Sequence, residues 1–360
     1  MLCSNIDHNL SWKVDGTVSP CNQLHNFPRS ITIKEMKSTN EYQQLQQSNV
    51  DDVWTKYCVR CKDKESTGLR SKRQTDNQIH KVYALINLDY IKIDGAIGTI
   101  CNAGCRICDS HSSTFWQQED RKFNAEIKIK HDATDFWDQV WQHRDNILQL
   151  DLGGGEPWLN GIEQQKKLFD YWIETNRARL IKIRYNTNGS LHPKLLLEKL
   201  STFREVRITL SIDDVEERFE YNRYPLKWKS VLETVQQLTE LENTYSNILL
   251  DINYTVSVFT FLYAHRFEQY AKDVLKINKV NFNILENPKH YSIKSLPLDI
   301  KHRVPETNMF YNLISKSPMK NWELTFAENI STIDNRRNQS FAESFQELNS
   351  ILRTYHGQTI

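Results

Sequence analysis

Seven cysteines fall within the first 108 of the chain's 360 residues, and none follows. An odd number cannot close into a full set of disulfides, and clustered thiols in a reducing compartment more often bind metal than form bridges. The division that fits is three plus four. Cys101-Asn-Ala-Gly-Cys105-Arg-Ile-Cys108 is a C-x3-C-x2-C string, and the remaining four are Cys3, Cys21 and the pair Cys58-Val-Arg-Cys61.

Charge narrows the partners. With 46 Lys and Arg against 45 Asp and Glu the formal net charge is +1, which disfavours a basic nucleic-acid binder or an acidic tail protein. No run approaches 18 uninterrupted apolar residues, and MLCSNIDHNLSWKVDG lacks the basic-then-apolar build of a signal peptide. A soluble, cytoplasmic protein with no nucleic-acid or membrane partner is expected.

The residues up to about 80 are polar and hold one hairpin signal, where Leu10 to Val14 meets Asp15-Gly16 and returns through Thr17 and Val18. That hairpin would bring Cys3 and Cys21 to one side of a small module. From about residue 85, short β-rich runs alternate with helical stretches. The runs are Leu88 to Ile93, Ile147 to Leu152, Leu180 to Tyr185, Val206 to Ile212, Ile248 to Val256 and Val280 to Leu285. Between them, Ile162 to Thr175 and Trp228 to Leu241 carry apolar residues at helical spacing. Such alternation implies a parallel sheet whose right-handed crossovers curl it into a full or partial barrel, with chemistry at the C-terminal strand ends. The informative motifs fall at those ends: the cysteine triplet, GGGEP, NTNG and SIDD.

Three thiolates spaced as Cys101, Cys105 and Cys108 can take three corners of a cubane 4Fe-4S cluster and leave one iron open to a small chelating ligand. A zinc site completed by His111, or three incidental cysteines, are the alternatives. Gly153-Gly154-Gly155-Glu156-Pro157 places three of the chain's 11 glycines directly after a strand, where backbone must approach something closely. Glu156 adds a carboxylate suited to an ammonium group; a tight turn would call for the same glycines.

Taken with LDYIKIDGAIGTICNAGCRICDSHSSTFW, LQLDLGGGEPWL, IRYNTNGSL and ITLSIDDVEERFEYNRYPLKW, these motifs resemble the radical S-adenosylmethionine (SAM) superfamily, and within it the enzymes with a twitch domain, the shortened relative of the SPASM domain. The resemblance covers essentially residues 1 to 290. One departure is Ile107, where the superfamily usually has an aromatic residue, and which alters how the adenine edge is packed. The resemblance implies a 4Fe-4S cluster on Cys101, Cys105 and Cys108 that binds SAM through its amino and carboxylate groups. One-electron cleavage of the sulfonium would give a 5′-deoxyadenosyl radical that abstracts a substrate hydrogen. Carried over residue by residue, Gly154, Gly155 and Glu156 of the Gly-Gly-Glu-Pro157 turn would meet the methionine ammonium, Ser211 and Arg223 its carboxylate, and Asp213 the ribose. Asn188 is a further cofactor contact, with ribose or substrate, though Asn188-Gly189 is equally a turn signal. Tyr185 and Asn186 end the same run and are expected to face the lumen, and Glu286 and Asn287 are the distal polar pair that could reach substrate.

Cys3, Cys21, Cys58 and Cys61 form a complete four-thiolate set. Their composition suits a structural zinc, for which C-x2-C is a common half-site; the twitch resemblance instead implies a second, auxiliary 4Fe-4S cluster, with that family's usual C-terminal placement exchanged for an N-terminal one. A fully ligated cluster has no open iron for substrate and suits electron transfer, so a two-electron oxidation, either dehydrogenation or coupling, is the expected outcome. No spare thiol remains to return a hydrogen atom. Lys56 to Arg73 holds seven basic and two acidic residues, a dock for an acidic electron donor such as flavodoxin or ferredoxin, or a solvated linker.

The expected architecture is α/β: a twitch-like Fe-S module at 1–80, a partial (βα)6 radical SAM barrel at 81–290, and a C-terminal helical cap at 291–360 that includes FAESFQELNSIL as one amphipathic helix. The substrate is a small molecule or a peptide. A peptide maturase of the same superfamily and a zinc-stabilised interaction protein are the alternatives; no peptide-binding winged-helix segment is evident at either end.

Overall fold

The computed structural model describes residues 3–66, 68, 70–85, 90–127 and 136–353. Its strands are β1 (Asn9–Trp12), β2 (Val18–Ser19), β3 (Ile91–Ala96), β4 (Ile147–Gly153), β5 (Lys182–Thr187), β6 (Glu205–Ser211), β7 (Ile248–Val256) and β8 (Val280–Ile284). The helices used below are α1 (Asn40–Val50), α2 (Val59–Ser66), α3 (Lys72–Leu85), α4 (Thr114–Lys122), α5 (Ile162–Glu174), α6 (Trp228–Thr244), α7 (Ala264–Asp273), α8 (Trp322–Arg337) and α9 (Gln346–Arg353). None of the described helices is long and apolar enough to cross a membrane.

The chain forms two compact units. Met1–Ile100, Ile129–Asn186 and Pro193–Arg207 make the first; Cys101–Lys128, Thr187–His192 and Ile208–Ile360 make the second.

In the first unit the strands lie in the order β2-β1-β3-β4-β5. β1 and β2 are antiparallel, joined through the expected Asp15-Gly16 turn, and the neighbours β1/β3, β3/β4 and β4/β5 are parallel. β1 is therefore a strand of the main sheet. The register aligns Asn9, Lys92, Gln149 and Lys182 in one row and Ser11, Asp94, Asp151 and Arg184 in the next. Side chains alternate across a strand, so these rows share one polar face. Between them Ile93, Leu150 and Ile183, all fully buried, make the apolar face. Helix α5 forms because Gln165, Leu168, Phe169 and Trp172 recur at helical spacing and are buried together. Phe169 meets Phe203 edge-on at 4.9 Å, and Trp172 donates to the Arg144 carbonyl at 2.9 Å. Burying side chains of this size stabilises by about 1.5–3 kcal/mol each.

In the second unit, β7 runs parallel to β8. Its ends match the expected Ile248 and Val256, and α6 buries Trp228, Val231, Val235 and Leu238 at the expected spacing. Helix α8 buries Trp322, Phe326, Ile330, Ile333 and, in its last turn, Arg337. Phe326 packs on Trp322, Phe259 and Phe341 with ring centroids 4.7–6.0 Å apart.

Two expectations are corrected. β3 ends at Ala96 and not Ile93, while the expected start at Leu88 lies outside the described residues. FAESFQELNSIL is two short helices, because Phe345 leaves helical geometry at φ −130° and is fully buried against Tyr221 and Phe341. Tertiary burial of that one ring overrides the helical periodicity around it.

Candidate functional site

The C-x3-C-x2-C loop lies in the second unit, immediately before α4. At the start of that helix Ser113 is the N-cap, accepting from Trp116 N, and its hydroxyl also donates to the Ala103 carbonyl at 2.8 Å. Thr114 Oγ1 accepts from Cys101 N at 3.0 Å, and Trp116 Nε1 donates to the Cys105 carbonyl at 2.9 Å. On the other side, Gly104 N donates to Tyr224 O at 2.6 Å and Arg106 N to Asn222 O at 2.8 Å. The loop's backbone groups are thus tied by partners on both flanks, which fixes where the thiols point.

Two buried arginines complete this support. Arg337 of α8 donates to the Gly104 carbonyl at 2.8 Å and pairs with Glu119 of α4 at 3.0 Å. Arg106, 1% exposed, pairs with Asp334, donates to Gln339 at 3.0 Å and lies 3.7 Å over the Tyr221 ring. Sequence reasoning missed all four charged residues. The only available signal was a charged side chain inside an apolar periodicity, as at Arg337.

Burial pushes the Cys105 and Cys108 thiols up, and for Cys108 the neighbouring Cys105 and Cys101 push further in the same direction. Three adjacent thiolates repel, so the set binds its protons until a cationic metal centre replaces them. The donor chemistry therefore suits a metal-sulfur group. Ile107 and Cys108 line a pocket of about 650 Å³ together with His111, Asn287, His290 and Arg336. Glu286 pairs with Lys294 at 3.1 Å.

The other second-unit candidates form a connected set. Asn188 donates to Asn102, inside the cysteine loop, at 2.9 Å, and Asn102 donates to Ser190 at 2.9 Å. Arg223 and Asp213, both buried, pair with each other at 2.6 Å. Asp213 also accepts from Thr255 N at 2.7 Å, and Arg223 Nη1 lies 3.7 Å from Cys105 Sγ. Ser211 ends β6 and is partly exposed.

The glycine turn belongs to the first unit and follows β4. Gly154 and Gly155 have φ of 81° and 51°. A Cβ on Gly155 would sit 2.4 Å from the Ile100 carbonyl oxygen, and one on Gly154 would sit 2.9 Å from Ala96 Cα. Glycine is thus required here by the chain's own backbone. Glu156 is fully buried; its backbone N donates to Ile100 O at 2.8 Å and its carboxylate accepts from Trp158 N at 3.1 Å. The Pro157 carbonyl accepts from Gln165 at 2.8 Å. Asn160, which no motif indicated, donates to Ile100 O at 2.7 Å and clamps the same turn. Tyr185, expected in the lumen, lies on the apolar face: it is fully buried, donates to Gln165 Oε1 at 2.6 Å and packs against Trp158. The period of two places it opposite to Arg184.

Cys3, Cys21, Cys58 and Cys61 line one small pocket in the first unit with Ile6, Leu24, Trp54 and Arg73. Cys3 N donates to Asn49 Oδ1 of α1 at 2.7 Å, Thr55 Oγ1 to Cys58 Sγ at 3.5 Å, and Gln23 N to Cys21 Sγ at 3.4 Å. Burial pushes the Cys3 and Cys21 thiols up to about 12 and raises Cys58 as well. All four thiols face one space, which suits a metal-sulfur group. Among the described residues, no three His, Cys, Asp or Glu side chains are gathered as ligands of a single metal ion.

Beneath this pocket lies a charged network that no motif announced. Asn5 donates to Asp76 at 2.6 Å; Asp76 pairs with Lys92 at 2.6 Å and Lys72 at 3.4 Å; Lys72 also reaches Asp94 at 3.4 Å. Gln149 donates to both oxygens of Asp151 at 2.8 and 3.0 Å. Burial, aided by the Asp94 charge and opposed by Arg184, pushes Asp151 up to about 6, whereas Lys72 and Lys92 hold Asp94 below the usual carboxylate range despite its burial. The legible signal was the alternation in IKID, LQLD and IKIR.

No family model and no curated relative matches the sequence. Solved structures do match. Native anSMEcpe with bound AdoMet is 20% identical over 57% of this chain and 56% of its own, with a TM-score of 0.40. The crystal structure of Streptococcus suis SuiB is 13% identical over 84% of this chain and 60% of its own, at 0.39. SuiB bound to precursor peptide SuiA is 15% identical over 88% and 66%, at 0.37. This chain spans little more than half the length of the first. Likeness at these values carries no argument about fold or function.

Proposed function

We propose that the chain is a radical SAM enzyme. The observation that carries the reading is the C-x3-C-x2-C loop, whose three thiols are presented on a backbone tied on both flanks. Cys101, Cys105 and Cys108 would hold a 4Fe-4S cluster, which when bound supplies the electron for cleaving the SAM sulfonium to a 5′-deoxyadenosyl radical. Arg223 beside Cys105 would take the cofactor carboxylate, exchanging part of its pairing with Asp213; Ser211 would assist, and Asn188 and Asp213 would orient the ribose. Glu156, held by the glycine turn, would accept from the methionine ammonium, and Ile107 would pack against the adenine. Cys3, Cys21, Cys58 and Cys61 would hold a second cluster, so that a substrate radical is completed as a two-electron oxidation, a dehydrogenation or a coupling, of a small molecule or a peptide. A flavodoxin- or ferredoxin-like donor would supply the electrons.

Anaerobic reconstitution should give about eight irons per chain, from two four-iron clusters. Replacing Cys101, Cys105 and Cys108 with Ala should halve that number and abolish SAM cleavage. Cleavage retained in the triple variant would overturn the reading, and zinc in place of iron and acid-labile sulfide would favour the metal-stabilised interaction protein.

A further inference from the structure

The polar face of β3, β4 and β5 has a closed part and an open part. Lys92 and Gln149 are 2% and 0% exposed, and Lys72 and Asp76 of α3 pair over the β3 row. Along β5, Lys182 and Arg184 are partly exposed, as are Glu205 and Arg207 of β6. In this open part, Lys182 pairs with Glu205 at 2.8 Å, and Arg207 lies 3.9 Å from the same carboxylate.

Arg184 is different. Its nearest carboxylate, Asp151, is 3.9 Å away, too far for a hydrogen bond, and its Nε is buried with no hydrogen-bond partner. A guanidinium offers five donors in a planar fork, and leaving such donors unfilled in a partly buried site is costly. In the neighbouring row, Gln149 spends its amide N–H groups on Asp151 and leaves Oε1 buried and unpartnered. An empty cationic fork and an empty acceptor therefore lie on one face, one strand apart.

We propose that this face is a carboxylate-binding subsite in which Arg184 takes the carboxylate of the substrate and Gln149 accepts from an N–H or O–H beside it. The inference rests on the enzymatic reading above and adds the substrate's chemistry. A carboxylate suits the site better than a phosphate. Its planar geometry matches the fork, and a second negative charge would be placed against Asp94 and Asp151. The carboxylate can come from a free organic acid or from an acidic side chain of a peptide.

Calorimetric titration of the reconstituted full chain tests this with four probes: succinate, its dimethyl ester, inorganic phosphate, and an acetylated and amidated Ala-Glu-Ala peptide. At least one of succinate and the peptide should bind, and the ester and phosphate should not; which of the two binds tells the free acid from the peptide side chain. Arg184→Ala should weaken that binding about ten-fold or more, as expected for loss of a charge-assisted hydrogen bond, while Lys182→Ala should stay within about two-fold. Arg184→Gln, which preserves bulk and one amide donor group, decides the matter if the alanine variant does not fold. Equal affinity in Arg184→Gln, a preference for phosphate, or binding of neither carboxylate would overturn the proposal. The variant lacking Cys101, Cys105 and Cys108 should keep the carboxylate affinity, so failure of the cluster reading and failure of this one give different results.

Discussion

The cysteine loop of the second unit and the thiol pocket of the first are assembled in opposite ways. The loop draws its thiols from one short stretch, Cys101 to Cys108, but its backbone is held by residues far along the chain: Arg337 reaches Gly104 across 233 positions, and Asn222 and Tyr224 take its N–H groups. The pocket draws its thiols from separate segments between Cys3 and Cys61, yet two of them are held by near neighbours, Cys21 by Gln23 and Cys58 by Thr55. A local ligand set needs distant support to fix its direction, whereas a dispersed set needs the fold to gather it first.

The largest effect that can break this comparison comes from the thiols themselves. Replacing Cys58 and Cys61 with Ala should remove about half of the iron while SAM cleavage to deoxyadenosine partly survives and product is lost. Full product formation by this variant would remove any role for the pocket in the chemistry, and complete loss of cleavage would make the two sites one functional unit.

The next effect concerns distant support. Arg337→Met leaves the Glu119 carboxylate buried without its cation, which typically costs about 3–5 kcal/mol. Thermal unfolding should show the loss, and the iron bound by the loop should fall while that of the pocket stays. A second change, Glu119→Gln, should recover part of the stability. If Arg337→Met alone is neutral, the loop is held locally after all.

Glu156 separates turn from charge. Glu156→Gln keeps an oxygen for Trp158 N but removes the negative charge, so SAM affinity should fall roughly ten-fold, a loss of about 1.4 kcal/mol, with both clusters assembled. Unchanged affinity in equilibrium binding would leave Glu156 a turn residue only.

The smallest effect is a pH dependence in the network beneath the pocket. With Asp151 raised to about 6 from an ordinary 3.8, the folded state holds this proton more tightly than the unfolded chain. The associated stability is present below about pH 4 and lost as pH rises through about 6. Asp151→Asn does not titrate, so its stability relative to the unmodified chain should rise across that window by on the order of 1–3 kcal/mol. A constant difference in denaturant midpoints would show that Asp94 and Asp151 do not strain one another.

Much of the fold was legible because its signals are local. Alternating apolar residues predicted β4 to β8 nearly to their ends, Asp15-Gly16 predicted the first hairpin, and the periodicity of Ile162 to Thr175 and Trp228 to Leu241 predicted α5 and α6. The spacing of Cys101, Cys105 and Cys108 likewise specified a three-thiol loop. What stayed hidden depended on which faces meet. Tyr185 and Arg184 are adjacent in sequence, and only the sheet's register decides that the first is core and the second lies on the polar face. Arg106 and Arg337 look like surface charges in a helical or loop pattern until α8 brings Asp334, and α4 brings Glu119, to pair with them. Phe345 breaks a regular helical pattern because an aromatic cluster drawn from distant segments buries it. Periodicity and spacing are properties of neighbouring residues and survive in the one-dimensional chain. Burial of a charge or a ring is a property of the space around it, and for this protein only the tertiary structure decides that.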